Sequence, residues 1–114
     1  MDLFLRLVEA LKLVVTKNGI FVDDKNIVNF ENGALPKSVL DGGDERFIRP
    51  LYDALKAQAD KTKNIAKQNE TVNFEGKVIF QGDSALDYKL MRKVMYTSAF
   101  AGYTDFKFAV AAIQ

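Results

Sequence analysis

Two short runs near the start of the chain, Leu11-Lys12-Leu13-Val14-Val15 and Ile20-Phe21-Val22, are β-branched and partly alternate apolar with polar positions. Runs of this kind suit strands with one buried face. Thr16-Lys17-Asn18-Gly19 separates them, and Asn-Gly is the dipeptide best suited to the positive φ angles of a tight hairpin turn. The pattern predicts strands at about 12–16 and 19–23. Leu3, Leu7 and Leu11 recur at helical spacing, which predicts a short leading helix or arm over about 1–10. From Asp24 the period is lost: Gly33, Pro36 and the run Asp41-Gly42-Gly43-Asp44 predict a long loop over about 24–45, with a turn of helix near Lys37–Leu40.

Periodicity returns with Ile48, Leu51, Tyr52, Leu55 and Ala59, all at helical spacing. Pro50 is compatible only with a first turn, so a helix is predicted over about 47–68. Its other face carries Lys56, Lys61, Lys63 and Lys67, interleaved with Asp53 and Asp60, and reads as a solvated face. Val78-Ile79-Phe80 is a short apolar run before Gly82, as expected of a central strand buried on both faces. A second helix follows over about 87–101. Leu90, Met91, Val94, Met95 and Ser98 face one way on it, Lys89, Arg92 and Lys93 the other, and Gly102 is placed to cap its end. Phe106, Phe108 and Val110 alternate with Lys107, Ala109 and Ala111 as a closing strand. The whole predicts an α+β, two-layer sandwich of order β-β-α-β-α-β, with two helices on one face of a small mixed sheet.

Composition changes this picture mainly by exclusion. The 114 residues fit one domain, and an apolar fraction of 48% is that of a globular chain. A net charge of +1 supplies no global field for nucleic acid or an acidic membrane. With no Cys and no His, disulfides, Cys nucleophiles, imidazole bases and zinc sites built on those residues are excluded. No Asp/Glu cluster has EF-hand spacing, and Gly76, Gly82 and Gly102 form no nucleotide-binding loop. No cofactor or metal is expected. The most apolar stretch, Leu3 to Val15, is broken by Arg6, Glu9 and Lys12 and is too short to span a bilayer, so the chain as given reads as soluble.

Asp83 follows the central strand, where open α/β sheets often place a catalytic carboxylate. Without a second acid, base or hydroxyl spaced to work with it, the residue reads as a turn acid satisfying free backbone N–H groups. Phe106-Lys107-Phe108 superficially suggests an RNA-recognition strand, but the element order differs and no nucleic-acid partner is expected. Tyr96 and Phe100 stand one turn apart on the face of Lys89, Arg92 and Lys93. Large rings on a polar helix face mark a contact surface or are covered by the long loop or the arm. These five residues are the candidate partner-binding site. Either the first strand or the closing strand is expected to offer a sheet edge for strand addition.

Read whole, Lys77-Val78-Ile79-Phe80-Gln81-Gly82-Asp83, Asp87-Tyr88-Lys89-Leu90-Met91-Arg92-Lys93-Val94-Met95 and Ala101-Gly102-Tyr103-Thr104-Asp105-Phe106-Lys107-Phe108-Ala109-Val110 resemble the ExbD/TolR family of biopolymer-transport proteins. In that family a V-I-x-A-D strand end leads to a Tyr, a V-M helix core, an A-G cap and a short apolar strand. Asp83, Tyr88 and Gly102 are the structural residues the resemblance implies. Gly82 stands where the family usually has Ala, and the loop over 24–44 is longer than usual. The resemblance covers about two thirds of the chain and implies a periplasmic domain over 11–114, with Met1 an expression start. The family's N-terminal transmembrane helix, with its Asp, is not in this sequence. The resemblance further implies a homodimer in the inner membrane, single-pass, beside an ExbB/TolQ/MotA-type channel subunit. Its other implied partners are a TonB- or TolA-like protein and peptidoglycan. The role would be coupling and docking in a proton-driven motor, not catalysis; the alternative is a nucleic-acid or small-ligand binding α+β module.

Overall fold

The structure is a computed structural model and describes residues 10–41, 43–71, 73–82 and 87–110. Strand β1 (Leu11–Thr16) places Leu11, Leu13 and Val15 inward and Lys12, Val14 and Thr16 outward, the period-two pattern of a strand with one buried face. It continues into β2 (Gly19–Val22) and β3 (Lys25–Asn29), an antiparallel meander. A 3-10 turn (Lys37–Val39) leads to β4 (Leu40–Asp41), which pairs with β5 (Asp44–Ile48) as a separate two-stranded ribbon. Helix α1 (Arg49–Gln68), strand β6 (Lys77–Gly82), helix α2 (Tyr88–Phe100) and strand β7 (Asp105–Val110) complete the order.

The main sheet runs β3-β2-β1-β6-β7, with β1, β6 and β7 parallel and β1, β2 and β3 antiparallel. This is an α+β fold with a mixed five-stranded sheet and two helices. Leu13 pairs across to Val22 on one side and Phe80 on the other, so one sheet face carries a continuous apolar surface. Leu51, Leu55 and Ala59 of α1 and Val94 of α2 join it in a single core with Ile20, Val28 and Val78. Burying apolar area of this kind is the main favourable term in folding. The opposite face holds Val14, Phe21 and Ile79, all half-buried. Hence the strand at 77–82 is internal, as its apolar run predicts, but it is buried on one face rather than two.

The predicted long loop over 24–45 is the largest departure, since it contains β3, β4 and the start of β5. The hairpin predicted at Asn18-Gly19 is present, with Thr16 opposite Gly19, but the positive φ angles fall in the next turn. Asp23 (φ 48°) and Asp24 (φ 70°) turn the chain between β2 and β3, whereas Lys17 and Asn18 keep negative φ. Gly19 is needed for a different reason. A Cβ there would lie 2.1 Å from the carbonyl oxygen of Val28, so only glycine lets β3 approach. Phe47 and Ile48 belong to β5 rather than to the helix, which begins at Arg49 with Pro50 in its first turn. The first strand is flanked on both sides and offers no edge; among the described residues β3 and β7 are the edges of the main sheet. The predicted arm falls on residues 1–9, outside the described residues, apart from residue 10. No described helix is long and apolar enough to cross a membrane.

Helix α2 ends in a Schellman motif. The Tyr103 N–H donates to the Ser98 carbonyl and the Gly102 N–H to the Ala99 carbonyl, with Gly102 at φ +98°. Gly76, at φ +65°, backs onto this cap, and its carbonyl accepts from the N–H groups of Thr104 and Asp105. A Cβ at Gly76 would lie 2.4 Å from the Gly102 carbonyl oxygen. Gly76→Ala therefore combines a left-handed backbone with a backbone clash, and we expect it to cost at least about 2 kcal/mol in urea unfolding. An unchanged midpoint would show that the two segments are not held together there.

Candidate functional site

The site is built on α2 and on β5, which crosses it. Asp87 caps the helix by accepting from the Lys89 N–H at 3.0 Å. The inward face of α2 carries Val94, Thr97 and Ser98, all buried. The Thr97 hydroxyl accepts from the Ile48 N–H (2.9 Å) and donates to the Arg46 carbonyl (3.3 Å), which ties the end of β5 to the last turn of α2. Earlier in the same strand, Asp44 and Arg46 reach over the outer face of the helix.

There Tyr96 meets both. Its hydroxyl donates to Asp44 Oδ2 at 2.7 Å and accepts from Arg46 Nη2 at 3.1 Å. The Arg46 guanidinium carbon lies 4.2 Å from the centre of the Tyr96 ring, a cation–π contact. Arg46 also donates through its backbone N–H and its Nε to Asp44 Oδ1, at 2.9 and 3.3 Å. The Tyr96 hydroxyl, followed by the Arg46 donors, holds the Asp44 carboxyl below the usual carboxylate range. The same hydrogen bond to the Asp44 carboxylate, with burial, pushes the Tyr96 phenol above its ordinary value. Both groups thus keep one protonation state across neutral pH, which suits a structural clasp rather than a proton-transfer pair.

Around the clasp lies a cleft of about 370 Å³ lined by Arg46, Lys89, Arg92, Lys93 and Tyr96. Four of the five predicted contact residues converge here. The fifth, Phe100, is 59% exposed and lies instead in a row of rings. Tyr96 and Phe100 stand 5.0 Å apart, Phe100 and Phe47 5.6 Å, and Phe47 and Tyr52 5.1 Å. Part of the segment expected as a loop therefore does cover Tyr96, whereas Phe100 stays largely open. On the other flank of α2 a groove of about 640 Å³ runs between Met91 and Met95 of the helix and Phe106 and Phe108 of β7. Arg92 and Tyr96 line both hollows.

Compared with models of known families, with curated proteins and with solved structures, the chain matches none.

Of the residues expected to be structural, Gly102 holds the helix end and Tyr88 is 70% exposed on the rim of the groove, with the Arg92 guanidinium 5.8 Å from its ring. Asp83 lies outside the described residues. Sequence reasoning missed Asp44, Arg46 and Phe47, because Asp44 fell in the expected loop, Phe47 in the start of the expected helix and Arg46 between them. The signal in the sequence was Glu45-Arg46-Phe47-Ile48, which passes from charged to apolar residues before Pro50. Among the described residues no three carboxylates are grouped as metal ligands.

The clasp has a pH signature. Asp44 is depressed in the folded state, so its contribution is present above the unfolded value of about 4 and is lost as pH falls through the folded value. Tyr96 is raised, so its contribution is present below the unfolded value of about 10 and is lost as pH rises through the folded value. Tyr96→Phe should then lower stability by a constant amount at neutral pH, with the difference from wild type shrinking at both ends. A difference independent of pH would show that the hydroxyl is not bonded to an ionised Asp44.

Proposed function

We propose that this domain is a docking and coupling module that acts through the outer face of α2 and the free edge of β7. One observation carries the reading: α2 runs between a basic cleft and an apolar groove, and that groove ends on a strand paired on one side only among the described residues. Exposed rings such as Phe100 and Phe108 beside a cluster of cations are a surface composition favoured at contacts. An edge strand supplies a row of unpaired backbone groups for strand addition.

The resemblance of the stretch from Lys77 to Val110 to the ExbD/TolR family supplies the setting: a periplasmic domain of a single-pass inner-membrane protein in a proton-driven motor. A channel subunit of the ExbB/TolQ/MotA type and a TonB- or TolA-like protein would be its partners, with peptidoglycan a further one. A second copy is the simplest partner for β7. Antiparallel pairing of two β7 edges about a two-fold axis would extend the sheet across the dimer and leave both α2 faces open to other partners.

This makes a direct prediction for amide exchange. As protein concentration rises, exchange in β7 should slow by about tenfold or more, while β1, which is already paired on both sides, stays unchanged. Phe100→Ala should leave the fold intact and weaken binding to the partner that covers α2. Exchange in β7 that does not respond to concentration or to a partner would remove the edge from the proposal.

A further inference from the structure

We infer that the basic cleft on α2 is a binding site for a polyvalent oxyanion of the phosphate type, free or carried on a larger molecule. The inference is independent of the docking role. It rests on three features of the cleft: which cations lack a carboxylate partner, how one of them is held, and how much room there is.

Some cations on this protein pair with a neighbouring carboxylate, while others, such as Lys61, Lys63 and Lys67 of α1, do not among the described residues. Lys56 pairs with Asp60, Arg49 with Asp53, Lys12 with Asp24 and Lys77 with Glu75. Lys89, Arg92 and Lys93 form no salt bridge among the described residues, although they occupy two successive turns of one helix. Like charges at this spacing repel one another and modestly lower helix stability, a cost that a shared counter-ion would relieve. The nearby acids are already engaged. Asp87 caps the backbone N–H of Lys89, and Asp44 is held by Tyr96 and Arg46. Among the described residues, two carboxylates, Asp44 and Asp87, stand against four cations, a surplus that a single carboxylate ligand would not neutralise and a multiply charged oxyanion would.

Arg46 adds geometry to charge. Stacked on Tyr96 and tethered through Nε and Nη2, its guanidinium is fixed at the wall of the cleft. Those two tethers use only part of the five N–H donors of a guanidinium, leaving others for a ligand. An arginine held in this way loses little side-chain freedom on binding, and its planar fork matches the oxygen spacing of a phosphate. The two lysines contribute mobile point charges from the first turns of α2, on the side of the positive helix end. A volume of about 370 Å³ accommodates a phosphate or diphosphate group with water, and is small for a folded partner.

The test uses the full chain and diphosphate as probe, followed by backbone and arginine side-chain NMR at low and physiological salt. Saturable shifts are expected at Arg46, Lys89, Arg92, Lys93 and Tyr96, with half-saturation below about 1 mM. Lys89→Gln and Arg46→Lys should each weaken binding by about tenfold, the second despite keeping the charge. Lys61→Gln on α1 should change nothing, and retained amide dispersion shows that each variant is folded. Sedimentation with vesicles containing phosphatidic acid, whose phosphomonoester can carry two charges, against phosphatidylcholine alone, distinguishes the sources. Binding only to the anionic vesicles assigns the headgroup, and binding only to the soluble probe assigns a free phosphate. No saturation by diphosphate at about 10 mM together with no vesicle binding would overturn the inference. So would shifts spread equally over the lysines of α1, or an acidic peptide binding as tightly as diphosphate. Self-association through β7 is unaffected by any of these outcomes.

Discussion

The outer surface of this domain depends on one buried hydroxyl. Thr97 sits fully buried in the last turn of α2, where its Oγ1 accepts from the Ile48 N–H and donates to the Arg46 carbonyl. A backbone N–H left without an acceptor in such a place is costly, so the pair of bonds fixes where β5 ends as well as holding it. With Ile48 pinned and inserted in the core, the alternation of the strand keeps Arg46 and Asp44 on the same face as Ile48, the one turned to α2, where they meet Tyr96, and Pro50 then starts α1 in a new direction. The clasp, the cleft and the row from Tyr52 to Tyr96 all follow from that register.

Charge alone would not make this surface distinctive. Helix α1 is also rich in lysine, but there Arg49 and Lys56 form exposed pairs with acids four residues on, each contributing little to stability, and Lys61, Lys63 and Lys67 stand unpaired among the described residues without a fixed arginine beside them. On α2 the cations stand without such acids among the described residues, beside an arginine held by stacking and hydrogen bonds. The difference between a solvated face and a recognition face lies in that fixed arginine. The Met-lined groove on the other flank adds an adaptable apolar surface next to an open strand edge. Electrostatic steering and apolar contact thus meet along one helix.

How much of this the sequence disclosed depended on how local each signal was. Periodicity within ten to twenty residues revealed β1, β2, β6, β7 and both helices, because their buried positions repeat at two or at three to four residues. It also set Tyr96 on the face of Lys89, Arg92 and Lys93. Strand β3 was hidden because Asp23-Asp24 reads as the opening of a loop, whereas the hairpin at Asn18-Gly19 was legible and is present. Strand β5 was hidden because Ile48 also fits the helical period of α1. Asp44 and Arg46 could not be placed beside Tyr96 from sequence, since about fifty residues and a whole helix separate them. Non-local contacts of that kind are set by how the elements pack, and no single-chain period encodes them.

The most direct measurement is hydrogen exchange on Thr97→Val, an almost isosteric change that removes only the hydroxyl. If Thr97 sets the register of β5, the variant should lose about 1–3 kcal/mol of stability. Protection at Ile48 should then fall and the Tyr96 ring signals should move, while protection in β1 and β6 persists. Unchanged exchange at Ile48 and an unmoved Tyr96 would contradict the account, because the outer face of α2 would then be organised without the hydroxyl beneath it.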